Sequence, residues 1–467
     1  MKKYIIGIFA AAVLLQACTS KLDVKPSNSL EQGEALSDLP GIQSALAGTY
    51  DLLQKTEYYG RNYWVMTEVS GDNVYIAAKN SNRFISSFKR EYNVQDADVE
   101  DFWKAAYKAI LGANNIINSV DAVTGDQEAK NIAKGEALFI RALGYSDLVN
   151  MFAKPYRNTN GSQPGVPVNL KFAVTQTPRS SVADVYTQII ADLTESKKLL
   201  VNVGAETKFH ASQYAASALL ARVYLAKGDD QKAIDEATSV INAGFTLTAP
   251  AGIASFYSTA GTPEEIFTLR FTGNAEDLGS DNIGQMYLKP GYGDIRVSPD
   301  LSATFVAADK RNALIGVFSD GSTGEKTNLK FASQDGIAGM HSPKLLRLAE
   351  MYLIRAEAYA HLNQGTKAIA DLNTLRVQRG LPQLSGVADK DVLDNVLAES
   401  RKEFMFEGHR YFDLMRNGKD VVRNFCHNLL EINAPCTIAA GSPITLCPIP
   451  QVELNTNPIE QNAGYGN

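Results

Sequence analysis

The stretch ALLARVYLAKGDDQKAIDEA, residues 218–237, decides the fold class, because the chain repeats it further on. It aligns without gaps, at a constant offset, to LIRAEAYAHLNQGTKAIADL, residues 353–372. Each copy is predicted to form a helix with small residues on its packing face, a polar turn and a second amphipathic helix. This is the tetratricopeptide-type helix pair, in which small residues let neighbouring helices approach closely. The sequence therefore predicts a mostly α-helical scaffold.

Helical periodicity recurs along the chain, whereas strand-like runs are few and short. The segments predicted as helices span residues 41–54, 98–119, 128–151, 182–200, 210–227, 230–243, 343–362, 366–379 and 390–408. We expect about four helix pairs, lying mainly in residues 98–151, 182–243 and 343–379. Long insertions at about 56–97, 152–180 and 244–342 interrupt them. Irregular segments on a rigid helical frame are where binding function is usually found, so the insertions are predicted to form a loop-rich ligand-binding subdomain.

The N-terminus, MKKYIIGIFAAAVLLQACTSKL (residues 1–22), has the pattern of a bacterial lipoprotein signal. Its apolar core is too short to span a membrane, and small Ala17 precedes Cys18. We expect residues 1–17 to be removed and Cys18 to carry the acyl chains that anchor the protein. A plain secretory signal, with Cys18 in a disulfide, is the alternative. Polar residues 18–40 are predicted to be a lipidated tether, and 41–467 the folded domain.

Charge and cysteine content restrict the class of protein. The formal net charge is −6, so a mildly acidic chain without basic patches is not expected to bind nucleic acid. In an exported protein, Cys426, Cys436 and Cys447 predict one local disulfide and one leftover thiol, with three possible pairings. A zinc site of these cysteines with His427 is a weaker alternative, because the spacings fit no standard zinc module.

No catalytic constellation stands out. The sequence lacks a nucleophile elbow, a zinc-protease motif, a phosphate-binding loop and a dinucleotide fingerprint, so no catalytic residue, metal or cofactor is predicted. Five scattered histidines are expected to be surface or packing residues. They are His210, His341, His361, His409 and His427.

The run ESRKEFMFEGHRYFDLMRNG (residues 399–418) holds the densest set of charged and aromatic residues. Glu403 and Glu407 are four apart and would share a helix face, so an acid–base pair of a glycoside hydrolase is conceivable. The same run supplies arginines, a lysine and aromatic rings that could neutralise and bury these acids. We therefore favour a structural knot of ion pairs.

This run resembles the C-terminal signature of the SusD/RagB family of Bacteroidetes outer-membrane nutrient-binding lipoproteins. Further resemblances follow in the family's order: GEALFIRALGYSDLVNMFAKPY (135–156), GVPV (165–168), PRSSVADVYTQIIADL (178–193), LLRLAEMYLIRAEAYA (345–360) and CPIPQVELNTNPIEQNAGY (447–465) within the tail 447–467. With the lipoprotein signal, the resemblance covers essentially the whole chain.

The resemblance implies a SusD-like fold and a non-catalytic receptor on the extracellular face of the outer membrane. Such a receptor captures oligosaccharides and delivers them to a SusC-like TonB-dependent transporter for import. A peptide-binding receptor of the same family is the alternative. A purely structural helical-repeat adaptor is a third reading.

The family pattern does not fix the ligand residues, so sugar chemistry has to indicate them. Sugars stack their apolar faces on aromatic rings and form hydrogen bonds with polar side chains at their rims. Trp64, in the first insertion, is the first choice for stacking, whereas Trp103 lies on an amphipathic helix and is expected to be buried. The other candidates are Tyr63, Tyr75, Arg61, Asp72, Asn73, Tyr287, Tyr292 and Arg296.

Overall fold

Fifteen α-helices dominate the computed structural model, which describes residues 35–172, 176–273, 275–319, 324–426 and 434–466. The helices in these ranges are α1 Leu39–Leu53, α2 Asn62–Val69, α3 Ile85–Lys89, α4 Ala97–Ser119, α5 Gln127–Phe152, α6 Tyr156–Thr159, α7 Val182–Leu199, α8 Gln213–Lys227, α9 Asp230–Ile241, α10 Pro299–Ala303, α11 Leu348–His361, α12 Gly365–Gln378, α13 Val392–Glu403, α14 Arg410–Arg416 and α15 Gln451–Thr456. The predicted mostly α fold is confirmed. The proposed lipidation site Cys18, most of the tether and His427 lie outside the described residues.

Eight of these helices pack one against the next and form the scaffold. Their order is α1, α4, α5, α7, α8, α9, α11 and α12, and α13 packs against α11. Capping side chains start the long members of the series: Asp96 accepts a hydrogen bond from the backbone N–H of Val99, and Asp126 accepts one from that of Ala129. None of the helices in the described ranges is both long and apolar enough to cross a membrane.

The two copies of the repeated helix pair are neighbours in space. The first copy is α8 and α9, the second is α11 and α12, and α9 packs directly against α11. Gly228 and Asn363, at equivalent positions of the two turns, both have left-handed backbone, with φ of 93° and 56°. Arg222 of the first copy pairs with Glu350 of the second, with Nε 2.6 Å from Oε1. Repeat similarity in the sequence therefore corresponds to direct packing.

The predicted helix 390–408 is wrong at its C-terminal end. Helix α13 stops at Glu403, and a new helix begins only at Arg410. Phe406 and Gly408 have φ of 72° and 76°, which no α-helix allows. Their backbone N–H groups instead donate to the buried carboxylate of Glu68, over 2.9 and 3.0 Å. Glu403 and Glu407 consequently do not share a helix face.

Short antiparallel strands occupy the loop-rich part of the described chain. They are β1 Val74–Ile76, β2 Pro164–Pro167, β3 Arg179–Ser181, β4 Glu265–Thr268, β5 Ile295–Val297, β6 Ile315–Val317, β7 Lys326–Asn328, β8 Ser333–Gln334, β9 Ile337–Ala338, β10 Lys344–Arg347, β11 Val421–Val422 and β12 Thr437–Ile438. The largest sheet has the order β1-β5-β7-β6 and pairs Tyr75 with Arg296. It therefore joins the first insertion to the third.

One disulfide links Cys426 to Cys436, and Cys447 is a free, buried thiol. The prediction of one local bridge with one leftover cysteine is thus confirmed, and the pairing is now defined. The zinc alternative is not supported, because the disulfide uses two of the three proposed cysteine ligands.

Candidate functional site

Trp64, the first choice for a ligand-stacking residue, lies in the protein interior. Its side chain is 4% exposed, and its ring centroid lies 5.7 Å from that of Phe331 and 5.9 Å from that of His341. Helix α2, which carries it, is buried at all eight residues. The expectation that Trp64 presents a free ring face from an irregular loop is wrong, because this part of the insertion is a core helix. Trp103 is buried, as expected.

Most of the other predicted ligand residues are also buried. The seven buried candidates are Tyr63, Trp64, Asp72, Asn73, Tyr75, Tyr287 and Arg296. Asp72 and Asn73 tie the first insertion to the C-terminal signature: Arg410 Nε lies 2.8 Å from Asp72 Oδ1, and Arg401 Nε lies 2.9 Å from Asn73 Oδ1. Burial alone would raise the pKa of Asp72, but the two arginines hold it below its ordinary value. These polar residues hold the fold together and leave no free group for a ligand.

Arg61 and Tyr292 are the two predicted residues that remain partly exposed, and contacts link them to further partly exposed side chains at the surface. We define this surface, the arginine–tyrosine strip, as Arg61, Arg83, Tyr292, Glu325 and Phe425. Side-chain and backbone contacts connect its members from one end to the other. Its members lie on the first insertion (Arg61 and Arg83), in the segment before β5 (Tyr292), directly before β7 (Glu325) and beside the disulfide (Phe425).

The centre of the strip is a guanidinium stacked on a phenol ring. The central carbon of the Arg83 guanidinium lies 3.8 Å from the ring centroid of Tyr292. Arg83 Nη2 also donates to the Tyr292 hydroxyl, over 3.0 Å, and Nη1 donates to the Ser81 hydroxyl, over 2.9 Å. Stacking combined with hydrogen bonds fixes both side chains at the surface.

Arg61 forms one end of the strip. Its side chain makes an ion pair with Asp281 and lies over the ring of Phe84, with the central carbon of the guanidinium 5.6 Å from the ring centroid. Phe84 directly follows Arg83 in the chain. Burial raises the pKa of the nearby Asp98 carboxyl to about 6, Asp96 adds to the rise and Arg61 opposes it. Arg83 opposes the rise in this pKa as well, so two arginines act on the acids at this end.

Phe425 forms the other end, directly before the disulfide cysteine Cys426. Its side chain is 37% exposed, and its ring lies 5.2 Å from that of Tyr75. The Tyr75 hydroxyl donates to Glu325 Oε1 over 3.1 Å, and Arg296 Nε donates to Glu325 Oε2 over 3.0 Å. Arg296 also donates to the backbone carbonyl of Gly293, which joins this end to Tyr292.

Sequence reasoning missed Arg83, Glu325 and Phe425. Arg83 belongs to KNSNR, residues 79–83, a polar run in the first insertion that could have been chosen on the same grounds as its neighbours. The sequence indicates a role for Phe425 more weakly, because the local pattern shows only an aromatic residue beside a cysteine in the C-terminal part. Its proximity to Tyr75 depends on contacts between residues 350 positions apart, which no local pattern contains.

The conceivable catalytic pair, Glu403 and Glu407, lies in a buried knot of ion pairs and is 3% exposed at each residue. Arg347 bridges the two carboxylates, with Nη1 2.6 Å from Glu403 Oε1 and Nε 3.0 Å from Glu407 Oε2. Arg379 and Lys330 supply further ion pairs, at 2.8 Å to Glu403 and 2.6 Å to Glu407. Neither carboxylate is free to reach a glycosidic oxygen, so the hydrolase alternative has no support at these residues.

The knot predicts a defined pH dependence of stability. Burial would raise the pKa of Glu407, but Arg347 and Lys330 hold it at about 2, below the ordinary glutamate value. A depressed folded-state pKa stabilises the fold at pH values above the unfolded-state pKa, and this stabilisation is lost as the pH falls towards the folded-state value. The difference in unfolding free energy between wild type and Glu407→Gln, from urea titrations, should be constant above about pH 5.5 and shrink from pH 4.5 to pH 2. A difference that grows on acidification would contradict this assignment.

A cavity of about 120 Å³ lies between the scaffold and the C-terminal signature. It is smaller than the roughly 300–1,000 Å³ of pockets that enclose small ligands. Its lining acids are already bound: Arg416 pairs with Glu357, and the hydroxyls of Tyr58 and Tyr59 donate to Asp147. This cavity is therefore a poorer candidate for ligand binding than the strip.

Comparisons with known proteins agree with the helical scaffold and with the C-terminal signature. A profile described as "Starch-binding associating with outer membrane" matches residues 21–225, and the SusD family profile matches residues 333–465. A SusD-like protein of Formosa agariphila is 28% identical over 100% of both chains. The chain belongs to the SusD/RagB family. Proteins of this family bind carbohydrate and associate with the outer membrane.

Solved structures of SusD/RagB proteins share the whole architecture. A putative sugar-binding protein of Bacteroides vulgatus is 28% identical, with a TM-score of 0.84 over 92% of this chain and 99% of its own. A SusD superfamily protein of Bacteroides thetaiotaomicron has the same identity and TM-score over 91% and 99% of the two chains. A laminarin-binding SusD-like protein, 24% identical, has the same fold with a TM-score of 0.74 over 92% of this chain and 100% of its own.

Proposed function

We propose that this protein is a non-catalytic receptor on the outer face of the outer membrane, which captures oligosaccharides and delivers them to a SusC-like TonB-dependent transporter. The observation that carries the proposal is the arginine–tyrosine strip on the loop-rich part of a SusD/RagB fold. Family membership supplies the class of ligand, and the strip supplies a surface with suitable chemistry.

The strip combines the two kinds of group that a sugar needs. Tyr292 and Phe425 provide rings that are partly open to solvent, and Arg83 and Glu325 provide donors and acceptors beside them. Aromatic rings bind the apolar face of a pyranose, and the polar groups orient its hydroxyls. An open surface of this kind suits a chain of several sugar units better than it suits a single small molecule.

The anchor and the transporter partner are the parts of the proposal that depend on the N-terminal sequence and on family membership. Acylation at Cys18 would hold the folded domain at the membrane through the tether 18–40. Protease treatment of whole cells should degrade the wild-type protein, and Cys18→Ala should be lost from the membrane fraction. Protection in intact cells, or unchanged membrane retention of Cys18→Ala, would contradict the proposed location. Gentle detergent extraction with mass spectrometry should recover the transporter with the receptor, and recovery of the receptor alone would contradict the partnership.

A binding assay combined with a turnover assay tests the receptor function itself. Purified protein is titrated calorimetrically with laminarin, starch and oligogalacturonide fragments, and the same mixtures are assayed for new reducing ends. A receptor should bind at least one of these glycans and release no reducing ends. Reducing-end release would show an enzyme, and absence of glycan binding together with binding of short peptides would favour peptide uptake.

A further inference from the structure

We propose that the strip selects anionic oligosaccharides, with Arg83 binding a carboxylate or sulfate group of the ligand. This inference rests on the proposed receptor function and names the class of its substrate. Three arginines contribute to this region: Arg61 and Arg83 of the strip, and the buried Arg296. Of these three, Arg83 has the guanidinium that is open to an incoming anion.

Arg83 retains unused hydrogen-bond donors at the surface. A guanidinium carries five N–H donors, and Arg83 uses one towards Ser81 and one towards Tyr292. Its plane is fixed by the Tyr292 ring, so the remaining donors keep a defined direction. A planar fork of this kind matches the geometry of carboxylate and sulfate oxygens, which it can bind through two parallel hydrogen bonds.

The other two arginines of this region each form an ion pair with a carboxylate. Arg61 is paired with Asp281, and Arg296 is paired with Glu325. Within the described ranges, the two hydrogen bonds of Arg83 go to hydroxyl oxygens, those of Ser81 and Tyr292, and its charge also opposes the rise in the pKa of the Asp98 carboxyl. The nearest acid along its hydrogen-bond path is Asp294, whose two oxygens accept from the backbone N–H and the hydroxyl of Ser81.

Two lysines extend this positive surface. Lys79 and Lys289 are exposed on the two loops that flank the stacked pair, and Lys289 Nζ donates to the backbone carbonyl of Tyr292, over 2.6 Å. These two positive charges contrast with the formal net charge of the whole chain, which is −6. An anionic ligand would gain long-range attraction from these lysines, which can stay hydrated while it binds.

The backbone around Arg83 is held in a costly conformation. Asn82 and Phe84, its two neighbours in the chain, have φ of 62° and 58°, in the left-handed region that a bulky residue such as phenylalanine rarely adopts. The hydrogen bond from the Asn82 backbone N–H to Asn80 Oδ1, 2.7 Å long, and burial of the Phe84 ring hold this turn in place. Such strain is concentrated at functional sites, and here it presents Arg83 in a fixed position.

The test compares charged probes with their neutral counterparts. The probes are oligogalacturonides and their carboxyl-reduced forms, sulfated carrageenan oligosaccharides and their desulfated forms, and neutral laminarin oligosaccharides. Calorimetry should show at least tenfold tighter binding of the charged member of one pair, and the pair affected tells carboxylate from sulfate. The affinity for the charged probe should fall as salt rises, because exposed charges are screened.

Two variants assign the effect to Arg83. Arg83→Gln should weaken binding of the charged probe about tenfold more than it weakens binding of the neutral counterpart. Arg83→Lys should restore part of the affinity, because it keeps the charge but not the planar fork. Lys198→Gln, at an exposed site on helix α7, is the control for a change in net charge and should bind like wild type. Circular dichroism checks that all variants are folded.

Three results would contradict the account at different levels. Equal affinity for charged and neutral members of both pairs would overturn the anionic preference and leave the receptor function standing. Unchanged binding of the charged probe by folded Arg83→Gln would overturn the role of Arg83. Failure to bind any probe, charged or neutral, would contradict the proposed function itself.

Discussion

Arg347→Met is expected to lower the free energy of unfolding by about 3 to 5 kcal/mol, the cost of leaving a buried ion pair without one partner. Arg347 is about 1% exposed and bonds both Glu403 and Glu407. Methionine fills part of the volume but donates no hydrogen bonds, so two buried carboxylates lose their shared partner. Urea unfolding of the purified variant, followed by circular dichroism, measures the loss.

Lys198→Met is the matched control, because Lys198 pairs with Glu195 at the surface, where its side chain is 76% exposed. Surface pairs contribute little, so this variant should remain within about 0.5 kcal/mol of wild type. If Arg347→Met were as stable as the control, the knot at the C-terminal signature would not be a structural element, and a functional role for its carboxylates would have to be reconsidered.

Trp64→Ala is the second change with a large expected effect, and it acts on folding. Removing a buried tryptophan side chain typically costs about 3 to 5 kcal/mol, because packing contacts are lost and a cavity remains. The ring of Trp64 packs on Phe331 and His341 inside the core, so the variant should unfold at markedly lower urea concentration.

Tyr292→Ala provides the comparison, since Tyr292 is partly exposed at the edge of the core and its ring stacks on the side chain of Arg83. Its unfolding midpoint should stay close to that of wild type. The opposite pattern, a Trp64→Ala variant of normal stability that fails to bind glycan, would return Trp64 to the ligand site and would refute its burial.

The helical scaffold was predictable because its signals are local. Small residues, a polar turn and 3.6-residue periodicity occur within each 20-residue copy of the repeat, and the turn positions Gly228 and Asn363 share the same left-handed backbone. The end of helix α13 was not predictable in this way. It is set by Glu68, more than 300 residues earlier in the chain, which accepts the backbone N–H groups of Phe406 and Gly408.

The ligand surface was predictable only in part. Tyr292 and Arg61 were chosen from side-chain chemistry and are indeed partly exposed, but the same chemistry chose Trp64 and Tyr287, which are buried. Aromatic residues in an irregular segment serve equally as core and as ligand platform, and tertiary contacts decide between the two. Phe425 shows the converse, because it reaches the site only through packing against Tyr75.

Calorimetric titration of wild type and Tyr292→Ala, with the tightest-binding oligosaccharide of the probe panel, tests the central claim most directly. We expect the variant to fold normally and to bind about thirtyfold more weakly, a loss of about 2 kcal/mol that is typical of truncating an aromatic anchor. Equal affinity for wild type and folded Tyr292→Ala would contradict the assignment of the arginine–tyrosine strip as the ligand surface.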